Sequence, residues 1–263
     1  MLENTHREWN SEVYHRVSNP QFEWGKKVLE RLQLKGDETV MDAGCGTGRL
    51  TAELLERLPR GHVLAVDVSQ NMLQKSEEFL KPRFDGRVRF VHADLADLNI
   101  EAECDGIFST AAFHWVKDHD AMFRGLATAL KAGGWIEAQA GGRGNLEDVH
   151  SRVLGIMERA EFLPFFESWE SPWEFPSPET TTRRMLQAGF ADAEAWLEPA
   201  AFRLQGRDQY RDFLGEVILR PFLARIGDSE LKAKFLEELV EQAVNDPEFK
   251  LDYVRINLRG RKA

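Results

Sequence analysis

A glycine-rich turn that follows a short apolar run is the first feature of this sequence that could do chemistry. The run Val40-Met41-Asp42-Ala43-Gly44-Cys45-Gly46-Thr47-Gly48 ends a predicted strand and leads into a predicted helix. Alternate glycines let a backbone turn sharply and approach a ligand, and the helix N-terminus offers unpaired N–H groups. The turn predicts a binding loop, and a tight strand-to-helix turn without a ligand is the alternative.

The residues around the turn distinguish between classes of ligand. A dinucleotide motif needs a glycine or alanine three residues after Gly46, where Arg49 stands, and Asp42 would repel a pyrophosphate. A phosphate-binding P-loop is excluded because no Gly-Lys-Ser or Gly-Lys-Thr follows. The acid Asp42 instead favours a ligand that carries an ammonium or another cationic group.

Two further acids follow the next two predicted strands. Asp67, nineteen residues after Gly48, can accept hydrogen bonds from both hydroxyls of a ribose. Asp94 can accept a hydrogen bond from the exocyclic amine of adenine, and Leu95 can cover the ring edge. Each acid alone could instead cap a helix. Three acids at successive strand ends beside this turn indicate a nucleoside.

A parallel sheet would bring these residues together. Over residues 38–139 short apolar runs alternate with amphipathic stretches, which is typical of α/β proteins with helices on both faces of the sheet. A helix is predicted at 49–58, where four leucines share one face. The predicted strands cover residues 39–42, 63–68, 88–93, 106–109 and 135–140.

The segments on either side of this core lack the alternation of short apolar runs and amphipathic stretches. We interpret 1–263 as a single domain with a leading helical segment at 1–35 and a ligand-binding core at 36–140. Residues 141–177 and 205–249 are two insertions over one edge of the sheet, and the aromatic rings of the first form either a lid or the insertion's own core. Helices are predicted at 178–188 and over most of 208–245, and strands at 191–204 and 251–258.

Composition excludes several classes of protein. The chain has 34 Lys plus Arg against 44 Asp plus Glu, a formal charge of -10, so no global positive field attracts nucleic acid or anionic membranes. Cys45 and Cys104 are too few for a disulfide framework. The polar first ten residues lack a signal-peptide pattern, and no apolar run is long enough to cross a bilayer. We expect a soluble cytoplasmic protein without nucleic-acid or membrane partners.

The motifs resemble the class I S-adenosylmethionine-dependent methyltransferases over about residues 5 to 140. Within that class the chain is similar to the group of trans-aconitate methyltransferases and malonyl-acyl-carrier O-methyltransferases. The closer likeness is carried by Trp9-Asn10 with Tyr14 and Gln21, by Val66-Asp67-Val68-Ser69-Gln70-Asn71-Met72-Leu73, and by Phe108-Ser109-Thr110-Ala111-Ala112-Phe113-His114-Trp115-Val116-Lys117-Asp118-His119. His114 stands where trans-aconitate enzymes of this group carry a glutamine.

The resemblance implies a Rossmann-like sheet of seven strands with the last strand antiparallel, an inserted helical lid, and S-adenosylmethionine across the strand ends. Tyr14 and Gln21 would reach the methionine carboxylate, and the Thr110 carbonyl would accept a hydrogen bond from the methionine amine. Asp67 would hold the ribose and Met72 would pack on adenine. The complete expected cofactor set is Tyr14, Gln21, Asp42, Gly44, Cys45, Gly46, Asp67, Val68, Met72, Asp94, Leu95 and Thr110.

His114 is the candidate catalytic residue. Methyl transfer from a sulfonium needs an in-line nucleophile and exclusion of water, and it requires no metal. His114 could deprotonate a hydroxyl or amine or hydrogen-bond a carboxylate, which needs no base; a structural histidine is the alternative. Arg183, Arg184, Arg220 or Arg225 could anchor an acidic substrate. The other substrate candidates are Trp9, His15, Trp115, Phe166 and Trp169.

These features predict a methyltransferase that acts on a small molecule. The leading expectation is O-methylation of a carboxylate or hydroxyl. The alternatives are a small-molecule N-methyltransferase and a non-catalytic protein of the same fold that binds the cofactor and serves a partner. A nucleic-acid methyltransferase is disfavoured because Ser109-Thr110-Ala111-Ala112-Phe113-His114-Trp115-Val116 stands where an Asn-Pro-Pro-Tyr-like motif would follow the fourth strand.

Overall fold

The computed structural model describes residues 19–243 and 249–263, in which a seven-stranded sheet is the central element. The strand order is β3-β2-β1-β4-β5-β9-β6, and β9 alone runs antiparallel to its two neighbours, β5 and β6. A separate two-stranded sheet pairs β7 with β8. The strands are β1 Thr39–Ala43, β2 His62–Asp67, β3 Val88–His92, β4 Cys104–Thr110, β5 Leu130–Gly141, β6 Phe190–Pro199, β7 Phe202–Arg203, β8 Lys250–Leu251 and β9 Val254–Lys262.

Helices connect the strands and build a second layer on each face. Five of them, α1 to α4 and α7, pack apolar residues against the sheet, and the others belong to the segments inserted after β5 and β7. The helices are α1 Asn19–Arg31, α2 Arg49–Arg57, α3 Gln70–Phe84, α4 His119–Ala129, α5 Glu147–Met157, α6 Leu163–Phe166, α7 Pro178–Gln187, α8 Arg207–Phe213, a π-helical turn Leu214–Ile218, α9 Arg220–Leu223 and α10 Ser229–Ala243.

The sheet separates two hydrophobic cores. On one face α1, α2 and α3 bury residues such as Leu29, Leu55 and Leu80 against β1 and β2. On the other face α4 buries Phe123, and α7 buries Met185, against β4, β5 and β9. The leucine stripe predicted at 49–58 is therefore the buried face of α2. A layer of helices on each face covers the sheet, so the ends of the strands are where a site can form.

The segments inserted after β5 and β7 fold together into a third core, which we call the cap. Its buried cluster includes Val153 of α5, Phe162, Tyr210 of α8 and Phe235 of α10. The cap lies over the carboxyl end of the sheet. It is attached there by the backbone N–H of Glu174, which donates a hydrogen bond to the carbonyl of His114, shortly after the end of β4 (2.9 Å). The cap therefore covers the end of the sheet at which parallel strands of this class present ligand-binding residues.

Several element boundaries differ from the sequence-based prediction. The predicted strand at 191–204 is interrupted at Pro199, whose missing N–H cannot continue the ladder, and Phe202 pairs instead with Leu251 in the small sheet. The predicted strand at 251–258 is likewise two strands, and the break between β8 and β9 falls at Asp252 and Tyr253. None of the helices in the described part of the chain is long and apolar enough to span a membrane.

Candidate functional site

The glycine-rich turn is a backbone cradle at the end of β1. Gly44 has φ 84° and Gly46 has φ 54°, both in the left-handed region that favours glycine. A Cβ on Gly44 would collide with the Cβ of Ala112, whereas a Cβ on Gly46 would project into open space. The N–H groups of Gly44 and Cys45 both donate to the carbonyl of Val66 (2.8 and 3.0 Å), so the turn is pinned to β2. The space above Gly46 is therefore available to a ligand.

Asp42 lies beneath the turn. Its side chain is 2% exposed, and its Oδ2 accepts a hydrogen bond from the hydroxyl of Thr51 on α2 (2.6 Å). Burial raises the pKa of Asp42 to about 7, helped by the negative charge of Asp67 and opposed by the Thr51 hydrogen bond. Asp42 supports the turn from below and does not line the cavity that opens above the turn.

Asp67 and Asp94 hold the loops at the ends of β2 and β3. The two carboxylate oxygens of Asp67 accept hydrogen bonds from the N–H groups of Gly46 and Ser69 (2.9 Å each), which ties the glycine turn to the start of α3. Asp94 accepts a hydrogen bond from the N–H of Ala96 (3.0 Å) and so caps the short helical turn Leu95–Asp97. Both acids organise backbone and also line the cavity.

A cavity of about 290 Å³ opens above the turn and extends under the cap. Its lower part is formed by residues that the sequence singles out at the strand ends, and its upper part by cap residues. The predicted site residues that line it are Gln21, Gly44, Gly46, Asp67, Val68, Met72, Asp94, Leu95, Thr110, His114 and Trp115.

Other predicted site residues lie elsewhere. The Cys45 side chain packs against Ala65 and Leu73 between sheet and helix. Phe166 and Trp169 belong to the cap core rather than to the cavity wall, because both rings pack on Phe222 (6.4 and 4.4 Å between centroids). The aromatic segment, residues 162–178, therefore has two roles. The rings of its first half pack in the cap core, and those of its second half line the cavity. Trp9, Tyr14 and His15 lie outside the described residues.

The four arginines considered as substrate anchors are not in the cavity wall. Arg184 pairs with Glu174 (3.1 Å), and Arg225 donates to the carbonyl of Phe165 (3.0 Å). Arg183 is exposed on α7 and bonds to Gln187 (3.3 Å). Arg184 and Arg225 thus stabilise the aromatic segment and its attachment.

Hydrogen bonds hold the aromatic segment over the strand ends. Besides the Glu174 to His114 backbone hydrogen bond, the ammonium of Lys117 donates to the carbonyl of Ser171 (2.9 Å). Trp173 and Phe175 then line the cavity, with their rings nearly parallel (11°) and 6.1 Å apart. The upper wall of the cavity is therefore flat and aromatic.

His114 lies between the lower and the upper part of the cavity. Its Nδ1 accepts a hydrogen bond from the N–H of Gly141 at the end of β5 (3.3 Å). Burial of the ring, together with the positive charge of Arg255, holds the pKa of His114 well below its usual range. The ring is neutral at pH 7, and a hydrogen bond to Nδ1 places its proton on Nε2.

Arg255 is the most important cavity residue that sequence reasoning missed. It is 3% exposed and lines the cavity, and the register of β5 and β9 places it directly opposite Gly141, the residue that bonds to His114. Trp24 of α1 packs under its guanidinium (5.1 Å to the ring centroid). A signal was present in the sequence, since Tyr253, Arg255 and Asn257 alternate with apolar residues and so share one face of a strand.

Asn145 and His150 are two further cap residues in the cavity wall that the sequence analysis did not identify. Asn145 is buried, and its Oδ1 accepts a hydrogen bond from the N–H of Val254 (3.1 Å). The His150 ring, on α5, lies close to Trp173 and Phe175. No local motif marks either residue, since only the packing of the cap brings them to the site.

Residues 40–134 match a family model described as "Methyltransferase domain". The chain is 28% identical over 240 residues to trans-aconitate 2-methyltransferase of Methylobacterium nodulans, which covers 87% of this chain and 86% of the relative. It is 25% identical over 240 residues to the uncharacterised methyltransferase C70.08c of Schizosaccharomyces pombe, covering 82% and 89%. The chain belongs to the class I S-adenosylmethionine-dependent methyltransferases.

Solved structures share the fold of this methyltransferase. Phosphoethanolamine N-methyltransferase 2 of Haemonchus contortus, in complex with phosphomonomethylethanolamine and S-adenosylhomocysteine, aligns with a TM-score of 0.60 at 19% identity and covers 96% of this chain and 56% of its own. The [4+2]-cyclase SpnF aligns with a TM-score of 0.59 at 19% identity, covering 91% and 80%. One fold therefore carries different chemistries, and the acceptor must be argued from the cavity.

The cavity of the methyltransferase has features that fit its cofactor, S-adenosylmethionine. Gly46 leaves room for a ligand above the turn, and Oε1 of Gln21 is buried without a hydrogen-bond partner within residues 19–243 and 249–263. An orphaned polar atom in a cavity wall is expected where a ligand supplies the missing partner. The acids at the lower end, Asp67 and Asp94, suit a nucleoside with a cationic sulfonium.

Proposed function

We propose that this enzyme transfers the methyl group of S-adenosylmethionine to a carboxylate of a small molecule and forms a methyl ester. The observation that carries the proposal is the buried guanidinium of Arg255, which lines the cavity beside neutral His114. A guanidinium binds a carboxylate through two parallel hydrogen bonds. The relatives that are named trans-aconitate 2-methyltransferases support an acidic acceptor as well.

We propose that the cofactor lies across the ends of β1, β2 and β4. Asp67 would bind the ribose hydroxyls, and Asp94 with Leu95 would frame the adenine edge, over Met72. Gln21 would bind the methionine carboxylate or amine, and the carbonyl of Thr110 would accept from the amine. These residues line one continuous cavity, which supports their joint role. Tyr14, which the sequence assigns to the methionine carboxylate, lies outside the described residues.

The chemistry needs no base in this proposal. When it is bound, the cofactor supplies an electrophilic methyl group on a sulfonium, and the carboxylate oxygen that attacks it is already ionised at pH 7. The protein's part is to orient the carboxylate and exclude water. Arg255 would hold the carboxylate, and His114 would donate from Nε2 to one of its oxygens. The cap, attached through Glu174 and Lys117, would close the cavity from solvent.

The charges of the cavity disfavour the alternative acceptors. A hydroxyl nucleophile would need a base, and Nδ1 of His114, the basic nitrogen of the neutral ring, accepts the Gly141 N–H. An amine bound as an ammonium beside His114 would meet the positive charge of Arg255, since the acids among the described lining residues, Asp67 and Asp94, lie at the cofactor end. We therefore place O-methylation of a carboxylate ahead of both.

Substitution of Arg255 tests the assignment. With trans-aconitate and trans-cinnamate as acceptors, we expect Arg255→Met to lower kcat/KM by about 10- to 100-fold, which corresponds to the loss of a charged hydrogen bond. The affinity for S-adenosylhomocysteine, measured by calorimetry, should stay unchanged. Arg259→Met is the matched control, because Arg259 lies on the same strand but pairs with exposed Glu194. Equal activity of the two variants would refute the role of Arg255.

The setting of the enzyme is also part of the proposal. The chain's formal charge of -10 does not favour nucleic acid or anionic membranes as partners. Cys45 and Cys104 are free and buried, and burial raises the pKa of Cys104 to about 12, so neither thiol is reactive. We infer a reducing, cytoplasmic setting from these features.

A further inference from the structure

His150 lines the acceptor end of the cavity, and its ring carries a buried polar atom. The residue lies on α5, the first helix of the cap, and it lines the cavity together with Trp173 and Phe175. Its ring is nearly parallel to both neighbours, at 25° to Trp173 (5.1 Å between centroids) and at 20° to Phe175 (5.7 Å). These two rings fix the plane of the imidazole.

The Nε2 atom of His150 is shielded from solvent and has no hydrogen-bond partner among residues 19–243 and 249–263. Buried polar atoms are almost always paired, because an unpaired atom forfeits the hydrogen bonds it made to water. A purely structural position of this kind would be filled better by phenylalanine. The polar atom is explained if a bound molecule supplies its partner.

The surroundings of His150 indicate what kind of group that partner is. Burial lowers the pKa of His150 and the charge of Asp252 raises it; burial dominates, so the ring is neutral. Asp252 is held by the N–H of Asp148 on α5 (2.9 Å), and its other oxygen, Oδ1, is buried without a hydrogen-bond partner in the described part of the chain. A second carboxylate at this end would meet the negative charge of Asp252, whereas a hydroxyl would not.

The charged groups of the acceptor end therefore differ from one side to the other. Arg255 lies beside His114. His150, on α5, lies near Asp252, which directly follows β8. Trp115, Trp173 and Phe175 form flat apolar walls in the same cavity. A matching molecule has an unsaturated body, an anionic end and a neutral hydrogen-bonding end.

We propose that His150 is a specificity-determining residue, whose Nε2 hydrogen-bonds a hydroxyl group at the end of the acceptor remote from the methylated carboxylate. This inference rests on the proposed function, since it takes the carboxylate at Arg255 as the other end of the acceptor. It distinguishes the acceptor from a tricarboxylate such as the one in the relatives' name.

Three matched acids probe this assignment. Trans-cinnamate, 4-hydroxycinnamate and 4-carboxycinnamate share one planar body and differ at the remote end in having hydrogen, hydroxyl or carboxylate. They are titrated calorimetrically into the full-length protein saturated with S-adenosylhomocysteine. We expect the hydroxyl compound to bind about 5- to 50-fold more tightly than cinnamate, the range for one buried hydrogen bond, and the dicarboxylate to bind most weakly.

His150→Phe isolates the nitrogen from the ring. The variant keeps a ring between Trp173 and Phe175 but removes Nε2, so we expect the preference for 4-hydroxycinnamate over cinnamate to fall to about onefold. Its Tm should be equal to or above that of the wild type, because an unpaired buried polar atom is removed. His150→Gln restores a hydrogen-bonding end and should recover part of the preference.

Several results overturn the proposal. These are a preference that is the same in wild type and His150→Phe, no preference in the wild type, no binding of any of the three acids, and a lowered Tm of His150→Phe without recovery by His150→Gln. Failure of the proposed function itself looks different. In that case the acids bind and discriminate, but no methyl ester forms with S-adenosylmethionine.

Discussion

The strand ends of the sheet and the region under the cap differ in how their cavity residues are positioned. At the strand ends, Gly44, Asp67 and Asp94 each lie within a few residues of a strand terminus, and parallel strands bring such termini together regardless of the rest of the fold. At the other end of the cavity, His150 comes from helix α5 of the cap and Arg255 from β9 of the sheet, and they line one cavity only because the cap packs over the sheet. Local motifs therefore encode the proposed cofactor residues, and long-range packing encodes the proposed acceptor residues.

The largest expected effect comes from breaking the local motif. Gly44→Ala adds a Cβ that collides with Ala112 at a φ of 84°, so the turn must move. We expect the affinity for S-adenosylhomocysteine to fall by more than about 100-fold, because a displaced backbone loses several contacts at once. Calorimetry measures the affinity, and circular dichroism confirms the fold.

Gly86→Ala is the matched control for this change. Gly86 also has a positive φ, 77°, but an added Cβ meets nothing within 4 Å and the residue lies away from the cavity. We expect a loss of stability of about 1 kcal/mol from backbone strain and no change in cofactor affinity. Equal loss of affinity in both variants would show that the turn acts through general stability.

A second test concerns His114, where the two halves meet. If its Nε2 donates a hydrogen bond, His114→Gln should keep more than half of kcat with a carboxylate acceptor, whereas His114→Ala should lose about tenfold. The kcat of the wild type should also be independent of pH between 6 and 8, because the pKa of His114 lies well below its usual range. A kcat that rises through this interval and vanishes in His114→Gln would identify a base.

A third test concerns the pH dependence of the stability of the fold, to which the buried Asp42 beneath the glycine turn contributes. The pKa of Asp42 is raised to about 7 in the folded state, whereas an unfolded aspartate titrates near its ordinary value of about 4. Between these values the folded state holds a proton that the unfolded state has lost. The contribution of Asp42 to stability therefore falls as pH rises from about 4 to 7, by up to about 4 kcal/mol, and is constant above.

Asp42→Asn isolates this contribution, because asparagine cannot titrate and still accepts the hydrogen bond from Thr51. Urea unfolding of both proteins at pH 5, 6, 7 and 8 should show the variant gaining stability relative to the wild type up to pH 7. A constant difference across the series would mean that Asp42 is ionised throughout.

The same contrast explains how much could be predicted from the sequence. The glycine turn, the three acids and the leucine stripe of α2 follow local rules of spacing and periodicity, and the predicted α/β fold is confirmed. No local spacing rule applies to the aromatic segment. Its many aromatic residues indicate that a hydrophobic core forms, but they do not show which rings pack in that core and which line a cavity. Phe166 and Trp169 therefore belong to the cap core, while Trp173 and Phe175 reach the cavity.

Arg255 shows what sequence reasoning lacks at such a site. The alternation of Tyr253, Arg255 and Asn257 indicates one polar face of a strand, but sequence alone does not give the neighbour of β9. Its pairing with β5 sets Arg255 opposite Gly141 and so beside His114. The arginines considered first, Arg184 and Arg225, are equally charged but bind the cap itself.

The most direct test of the central claim is the chemical nature of the methylated product. The enzyme is incubated with S-adenosylmethionine labelled in its methyl group and with trans-aconitate or the three cinnamates, and the product is treated with mild alkali. Our account predicts that alkali releases the label as volatile methanol, because methyl esters hydrolyse and methyl ethers and N-methyl groups do not. Label that survives alkali, from a protein that binds S-adenosylhomocysteine, would contradict methylation of a carboxylate.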